Sequence, residues 1–194
     1  MVDRGTTKVA GWSLIEATSR RTPFDPTNAW IATPPPFITV NTDGSIIDDK
    51  GRWGVMIKEF DGTAIKGAAG SFDSKSITIL ELKAVEIGLV LADKINRKKA
   101  FIVTDSIIVL YYLTGYTTLT WDSKNLVRRI REHMGKMDDC VIRFNFRETN
   151  GVADYLAGLH VGVDWVEFTP SSFAQDLKDI IRRESMGHVY FILS

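Results

Sequence analysis

The sequence predicts an α/β fold, a mixed five-stranded sheet flanked by helices, in which an antiparallel meander enters a partly parallel sheet. Two observations carry this. Three strand-like runs succeed one another up to residue 70, and the apolar period then shifts to helical spacing from residue 77. Beyond that point helices and short apolar runs alternate, giving the order strand, strand, strand, helix, strand, helix, helix, strand, helix.

Each element has its own signal. Residues 1–36 show no sustained periodicity and close with Pro34-Pro35-Pro36, a stiff spacer unsuited to a sheet interior. They read as an N-terminal extension to a domain that starts near Phe37. In 37–43, Ile38, Val40 and Thr42 alternate with Thr39 and Asn41 and run into Asp43-Gly44, a common turn signal. Strands over 52–60 and 63–70 flank Asp61-Gly62, a hairpin turn. A helix over 77–94 places Leu80, Ala84, Ile87 and Leu91 on one face. The basic stretch 96–99 leads into a buried strand at 100–103, after which Asp105-Ser106 opens a helix over 106–114. Residues 123–136 form a basic amphipathic helix with Leu126, Ile130 and Met134 inward, and 140–146 alternate as a strand. Another helix begins at about Asn150. A tail helix at about 173–184 carries Phe173, Leu177, Ile180 and Ile181 on one face, followed by the apolar run Val-Tyr-Phe-Ile-Leu. The expected organisation is therefore an extension (1–36), a domain (37–160) and a C-terminal helical extension (161–194).

Composition narrows the class. A chain of 194 residues fits one domain with extensions, and 44% hydrophobic with 25% charged residues is ordinary for a globular core. The 24 basic and 24 acidic side chains cancel, which neither demands nor excludes a polyanionic partner, because a local basic face can act within a neutral total. The lone cysteine, Cys140, permits no internal disulfide and fits a reducing compartment. The N-terminus lacks the apolar core of a signal peptide, and no run approaches the roughly 18 apolar residues of a membrane helix. An intracellular protein, nuclear or cytoplasmic, with no membrane partner is expected; no feature of the sequence speaks to an oligomeric state.

Four acids stand out by position: Asp43 at the end of the first strand, Glu81 early in the first helix, Asp105 after the fourth strand, and Asp154 in the last helix of the domain. Each has an ordinary alternative. Asp43 suits a turn, Glu81 has capping-box spacing from Thr78, Asp105 suits an N-cap, and Asp154 suits a solvated helix face. Their joint placement suggests more. Ligands of α/β sheets gather beyond the carboxyl ends of strands, and Asp43 comes beside Asp105 if the first and fourth strands are neighbours. Hard cations such as Mg²⁺ take oxygen ligands, and a pair of them about 4 Å apart suits phosphodiester cleavage.

The motifs NTDGS (41–45), LELKAVEIGL (80–89), VTDSIIVLYYL (103–113) and RETNGVADYLA (147–157) make the chain resemble the ribonuclease H family. The resemblance is to the form found in plant proteins and at the ends of plant non-LTR retroelement polyproteins. It covers about residues 37–160, and the WVEFTP stretch (165–170) with its following helix looks like the tail of such plant proteins. The resemblance implies a ribonuclease H-like fold and an endonuclease that hydrolyses the RNA strand of an RNA–DNA hybrid. It further implies that Asp43, Glu81, Asp105 and Asp154 are the catalytic, metal-holding acids, with two Mg²⁺ ions and Mn²⁺ as a substitute. Gly44, Ser45 and Asn150 would approach the RNA strand. Two departures accompany it. Where many members carry a histidine that helps proton transfer or product release, six residues before Asn150, this chain has Phe144, with Arg147 or solvent as substitutes. The loop after the first acid, IIDDKGRWG, adds Asp48 and Asp49 where members are richer in glycine. The rival expectation is a catalytically silent domain of this fold that binds nucleic acid or protein.

A hybrid duplex needs cations along its backbone. Candidates are Lys124, Arg128, Arg129 and Arg131 on the basic helix, with Arg97, Lys98 and Lys99; an ordinary solvated face is the alternative. Trp53 and Trp121 could stack on a sugar or simply pack.

Overall fold

A computed structural model describes residues 34–162 and 164–185. The N-terminal extension up to residue 33 and the terminal apolar run lie outside the described residues. The meander consists of β1 (Ile38–Ile47), β2 (Lys50–Lys58) and β3 (Ala64–Ser71), each antiparallel to the next. The chain continues through α1 (Ile77–Lys94), β4 (Lys99–Thr104), α2 (Ile107–Thr114), α3 (Lys124–Met134), β5 (Asp139–Phe144), α4 (Gly151–Gly158), β6 (Trp165–Phe168) and α5 (Gln175–Ser185). The strand order is β5-β4-β1-β2-β3-β6, with β4 parallel to both β1 and β5.

Two features differ from the sequence expectation. Asp43-Gly44 is not a turn: β1 runs straight through it, with Asp43 opposite Gly54. The reversal comes later, at Asp48-Asp49, whose φ angles of 52° and 59° put both in the left-handed region that hairpin turns require and aspartate tolerates. The sheet also has a sixth strand. Trp165–Phe168, in the tail expected to be helical, pairs antiparallel with β3 and brings the Trp165 ring within 6.0 Å of Trp53. Four residues between Gly162 and Thr169-Pro170 are too short a run for period-two alternation to stand out.

Alternation along β2 divides the interior into two layers. Trp53, Val55 and Ile57 face a core completed by α1, α2 and α3, through residues such as Leu82, Val85, Val109, Leu113, Val127 and Ile130. Met56 faces the opposite layer, where Val152 and Leu156 of α4 meet Phe173 and Leu177 of the tail. The domain is thus a sheet between two helical layers, and α5 helps to make the second. Among the described residues, no helix is long and apolar enough to cross a membrane.

Candidate metal centre

The register of the parallel pair brings two acids together. The β1–β4 ladder ends at Asn41 opposite Val103, and the Thr42 hydroxyl donates to the Val103 carbonyl at 3.0 Å. Asp43 and Asp105 each lie two residues beyond those last partners, so the two carboxylates emerge side by side where the strands part.

Close backbone approach then adds the other two acids. A Cβ on Gly44 would lie 2.6 Å from the Glu81 nitrogen and 2.8 Å from the Leu80 carbonyl carbon, so only glycine lets the start of α1 rest on β1. Across the ladder, a Cβ on Gly54 would meet the Ala157 nitrogen at 2.3 Å and the Ala153 oxygen at 2.4 Å. Glycine there admits α4, with Asp154 in its first turn, directly against the strand beside Asp43.

Serines occupy the N-cap positions of both helices, so neither acid does. Ser76 is the N-cap of α1, so Glu81 stands past the capping-box position. Ser106 caps α2 by accepting from the Val109 N–H at 3.4 Å, so Asp105 is not the cap. Asp43, Glu81 and Asp105 each offer an oxygen within 4.8 Å of the others, and Asp43 and Glu81 are only 3% and 5% exposed. Among the described residues, four buried side-chain oxygens lack a hydrogen-bond partner. Three belong to these acids (Asp43 Oδ2, Glu81 Oε2, Asp105 Oδ1) and the fourth to Asn41, two residues before Asp43.

Electrostatics follow from this crowding. Burial, then the charges of Asp105 and Asp154, push the Asp43 carboxyl up to about 7, against the pull of Arg147 and the Gly44 N–H. Burial, then Asp43 and Asp105, push Glu81 up to about 9. Asp105 is raised too, chiefly by burial. Buried oxygens without hydrogen-bond partners and carboxyls held above their usual range suit the binding of a cation. The residues fit a hard divalent ion: the donor set is all oxygen, with no His or Cys in the group.

Asp154 stands outside the mutually close group. Its side chain is about two-fifths exposed and accepts from Arg147, through Nε at 3.1 Å and also through Nη2. Phe144 ends β5 and packs edge-on against Phe146, with centroids 5.6 Å apart. Asn150 is fully buried: its Nδ2 donates to the Thr42 carbonyl at 2.9 Å, and its Oδ1 accepts from Asn41 at 3.0 Å. The Ser45 hydroxyl donates to the Ala157 carbonyl at 2.6 Å. Asn41 and Gly54 were not singled out in the sequence; the usable signal was a polar residue at an alternating strand position and a glycine inside a strand.

The basic helix is largely engaged within the protein. Arg128 pairs with Glu132 at 2.7 Å, Arg129 pairs with the buried Glu86 at 2.5 Å, and Arg131 donates to the Tyr112 carbonyl at 2.8 Å. Arg97 pairs with Glu59, Lys98 with Asp93, and Lys99 lies over the Phe37 ring. Trp53 is buried, whereas Trp121 is 84% exposed three residues before Lys124.

The sequence profile described as reverse transcriptase-like matches residues 41–160. Solved structures agree on the fold. RNase H1 from Halobacterium salinarum superposes with a TM-score of 0.60 at 23% identity, over 62% of this chain and 94% of that one. The N-terminal RNase H domain of a Mycobacterium tuberculosis protein, fused to maltose-binding protein, gives 0.59 at 18% over 62% and 90%. LC11-RNase H1, isolated from compost by a metagenomic approach and solved with an RNA/DNA hybrid, gives 0.55 at 19% over 61% and 92%. A search of curated proteins finds no match.

Proposed function

This chain belongs to the reverse transcriptase-like family, and from that premise we propose that it is a metal-dependent ribonuclease H-type endonuclease cutting the RNA strand of RNA–DNA hybrids. One observation carries the reading: three carboxylates, each with a buried oxygen lacking a hydrogen-bond partner, converge where parallel β1 and β4 part. The plant retroelement context suggested by the motifs belongs to the same proposal.

In this reading Asp43 and Asp105 flank the point where a divalent ion, Mg²⁺ or Mn²⁺, would be held, and Glu81 supports it from α1. Asp154, whose side chain is about two-fifths exposed, would offer its carboxylate to a second ion. Bound divalent ions supply an activated water and stabilise the leaving oxygen of a phosphodiester. The protein supplies the rest. Gly44 and Gly54 let α1 and α4 close on the strands, and Asn150 fastens α4 to β1. Trp121, Lys124 and the exposed arginines of α3 would face the duplex, Arg128 and Arg129 after giving up or sharing their intramolecular partners.

A silent binding domain is the second reading. Its support is specific: the fourth acid is already neutralised by Arg147, and an aromatic pair, Phe144–Phe146, stands where the resemblance implies a histidine.

The deciding experiment compares wild type with Asp105→Asn on a labelled RNA–DNA hybrid, single-stranded RNA and duplex DNA, each with Mg²⁺ or Mn²⁺. Wild type is expected to cut only the RNA of the hybrid, and the folded variant to cut nothing. Failure of wild type on every substrate with both metals would overturn the nuclease reading in favour of the silent domain.

A further inference from the structure

Asn150 is the N-cap residue of α4, yet its side chain does not cap the helix, because both of its amide atoms are committed to β1. The cap arrives from the far end of the chain. Glu184, in the last turn of α5, accepts through Oε1 from the Val152 N–H at 2.9 Å. Its other oxygen pairs with Lys58 Nζ at the end of β2, and the two side chains are only 1% and 2% exposed. One carboxylate therefore ties together α5, α4 and β2. Asp154 lies two residues past Val152, in the same first turn. Phe173 and Leu177 close the same layer over Met56, Val152 and Leu156. Glu184, Phe173 and Leu177 all lie beyond residues 41–160, so the family-matched stretch supplies no side-chain cap for the helix that bears the fourth acid.

We propose that Glu184 is a positioning residue: by capping α4 through Val152, it sets where Asp154 stands relative to Asp43 and Asp105, and this makes α5 part of the site's scaffold. A buried charge pair is weak evidence of stabilisation in itself, since apolar replacements of such pairs are often neutral or better. What nothing apolar can replace is an acceptor for a helix N–H. The inference rests on the proposed function for the cleavage and Mn²⁺ arms of its test, while the hydrogen-exchange arm stands without it.

The test uses two double variants of the full chain. Lys58→Met with Glu184→Leu removes the pair and the cap; Lys58→Met with Glu184→Gln removes the pair and keeps an acceptor. Without metal, hydrogen exchange at the first-turn amides of α4 is expected to be about tenfold faster in the Leu variant than in the Gln variant, with α1 unaffected. The Mn²⁺-induced rise in melting temperature should be smaller in the Leu variant. Its kcat on hybrid should fall about tenfold at unchanged KM, with the Gln variant near wild type. Equal exchange in the two variants, or equal Mn²⁺ responses where wild type responds to Mn²⁺, would overturn the proposal. If the Leu variant does not fold, Glu184→Asp withdraws the carboxylate by one methylene beside an intact Lys58 and is judged on the same two readouts against wild type. If wild type cuts no hybrid, the nuclease reading fails, while exchange still decides the role of Glu184.

Discussion

Arg147 is paired with Asp154 at the edge of a cluster of three carboxylates, two of them buried, so a cation of the protein's own already serves the fourth acid. The same guanidinium pulls down the carboxyls of Asp43 and Asp105, which burial and their neighbours push up. Arg147 is mostly exposed, so its direct worth to stability is small. Its electrostatic role is to relieve repulsion while no metal is bound. Arg147→Ala should therefore lower the metal-free melting temperature only slightly and enlarge the rise produced by Mg²⁺. Differential scanning fluorimetry with and without Mg²⁺ checks this; a rise no larger than wild type's would show that Arg147 does not ease the metal-free site.

Stability without metal should depend on pH in a definite direction. The carboxyls of Asp43 and Glu81 are raised from 3.8 and 4.5 to about 7 and about 9. The folded state thus holds protons that the unfolded state releases, and the associated stability is fully present below the unfolded values. It is lost as pH rises through the raised ones. The metal-free urea midpoint should accordingly fall between about pH 5 and about pH 9, and saturating Mg²⁺, which replaces those protons, should flatten the decline. A metal-free midpoint that climbs over this range would contradict the arrangement of buried acids.

Gly44→Ala tests the approach of α1. The new methyl would sit 2.6 Å from backbone nitrogen rather than against a pliable side chain, so the helix must shift. Overpacking of this kind costs on the order of 1–3 kcal/mol, and here it also moves Glu81. The variant should lose about 2 kcal/mol by urea titration and respond less to Mg²⁺ than wild type. An Ala variant as stable and as responsive as wild type would mean that α1 is not held by that contact.

What the sequence made legible were features carried by local pattern. The order of elements up to α4 comes from periodicity, three of the four acids singled out by position come together, and the α1 boundaries, 77–94, match to the residue. The ambiguity over Glu81 and Asp105 was also local: Ser76 and Ser106, which occupy the N-cap positions, stand in plain view near them. Asp43-Gly44 misled because the dipeptide's turn preference is weaker than a nine-pair ladder with β2, which carries the strand on to the next aspartates. What stayed hidden depends on distant partners. Lys58 reads as an unpromising charge at the end of a strand until Glu184, 126 residues later, meets it. The arginines of α3 look free until Glu86 of α1 and the end of α2 are placed beside them.

Those partners change how the basic helix should be tested. Arg128 and Arg129 are adjacent, but they are not equivalent. Arg128 pairs with Glu132 one turn on, both being more than half exposed, and such pairs contribute about 0.5 kcal/mol or less. Arg129 is held by Glu86, whose buried carboxylate also accepts from Lys83 at 2.7 Å, and Glu86 is kept below its usual range despite burial by those two cations. Arg129→Ala strips one of them and leaves a buried charge half-compensated, so it should cost roughly 1–3 kcal/mol and confound any binding measurement. Arg128→Ala and Lys124→Ala avoid that problem. If α3 tracks the phosphate backbone, each should flatten the dependence of log affinity for hybrid on log salt by just under one unit, with melting temperature unchanged. Titration of catalytically blocked Asp105→Asn protein, with and without these substitutions, across several salt concentrations reads the slope directly. Unchanged slopes in both would make α3 a solvated face and move the search for the duplex contact to the exposed Tyr116 and Trp121.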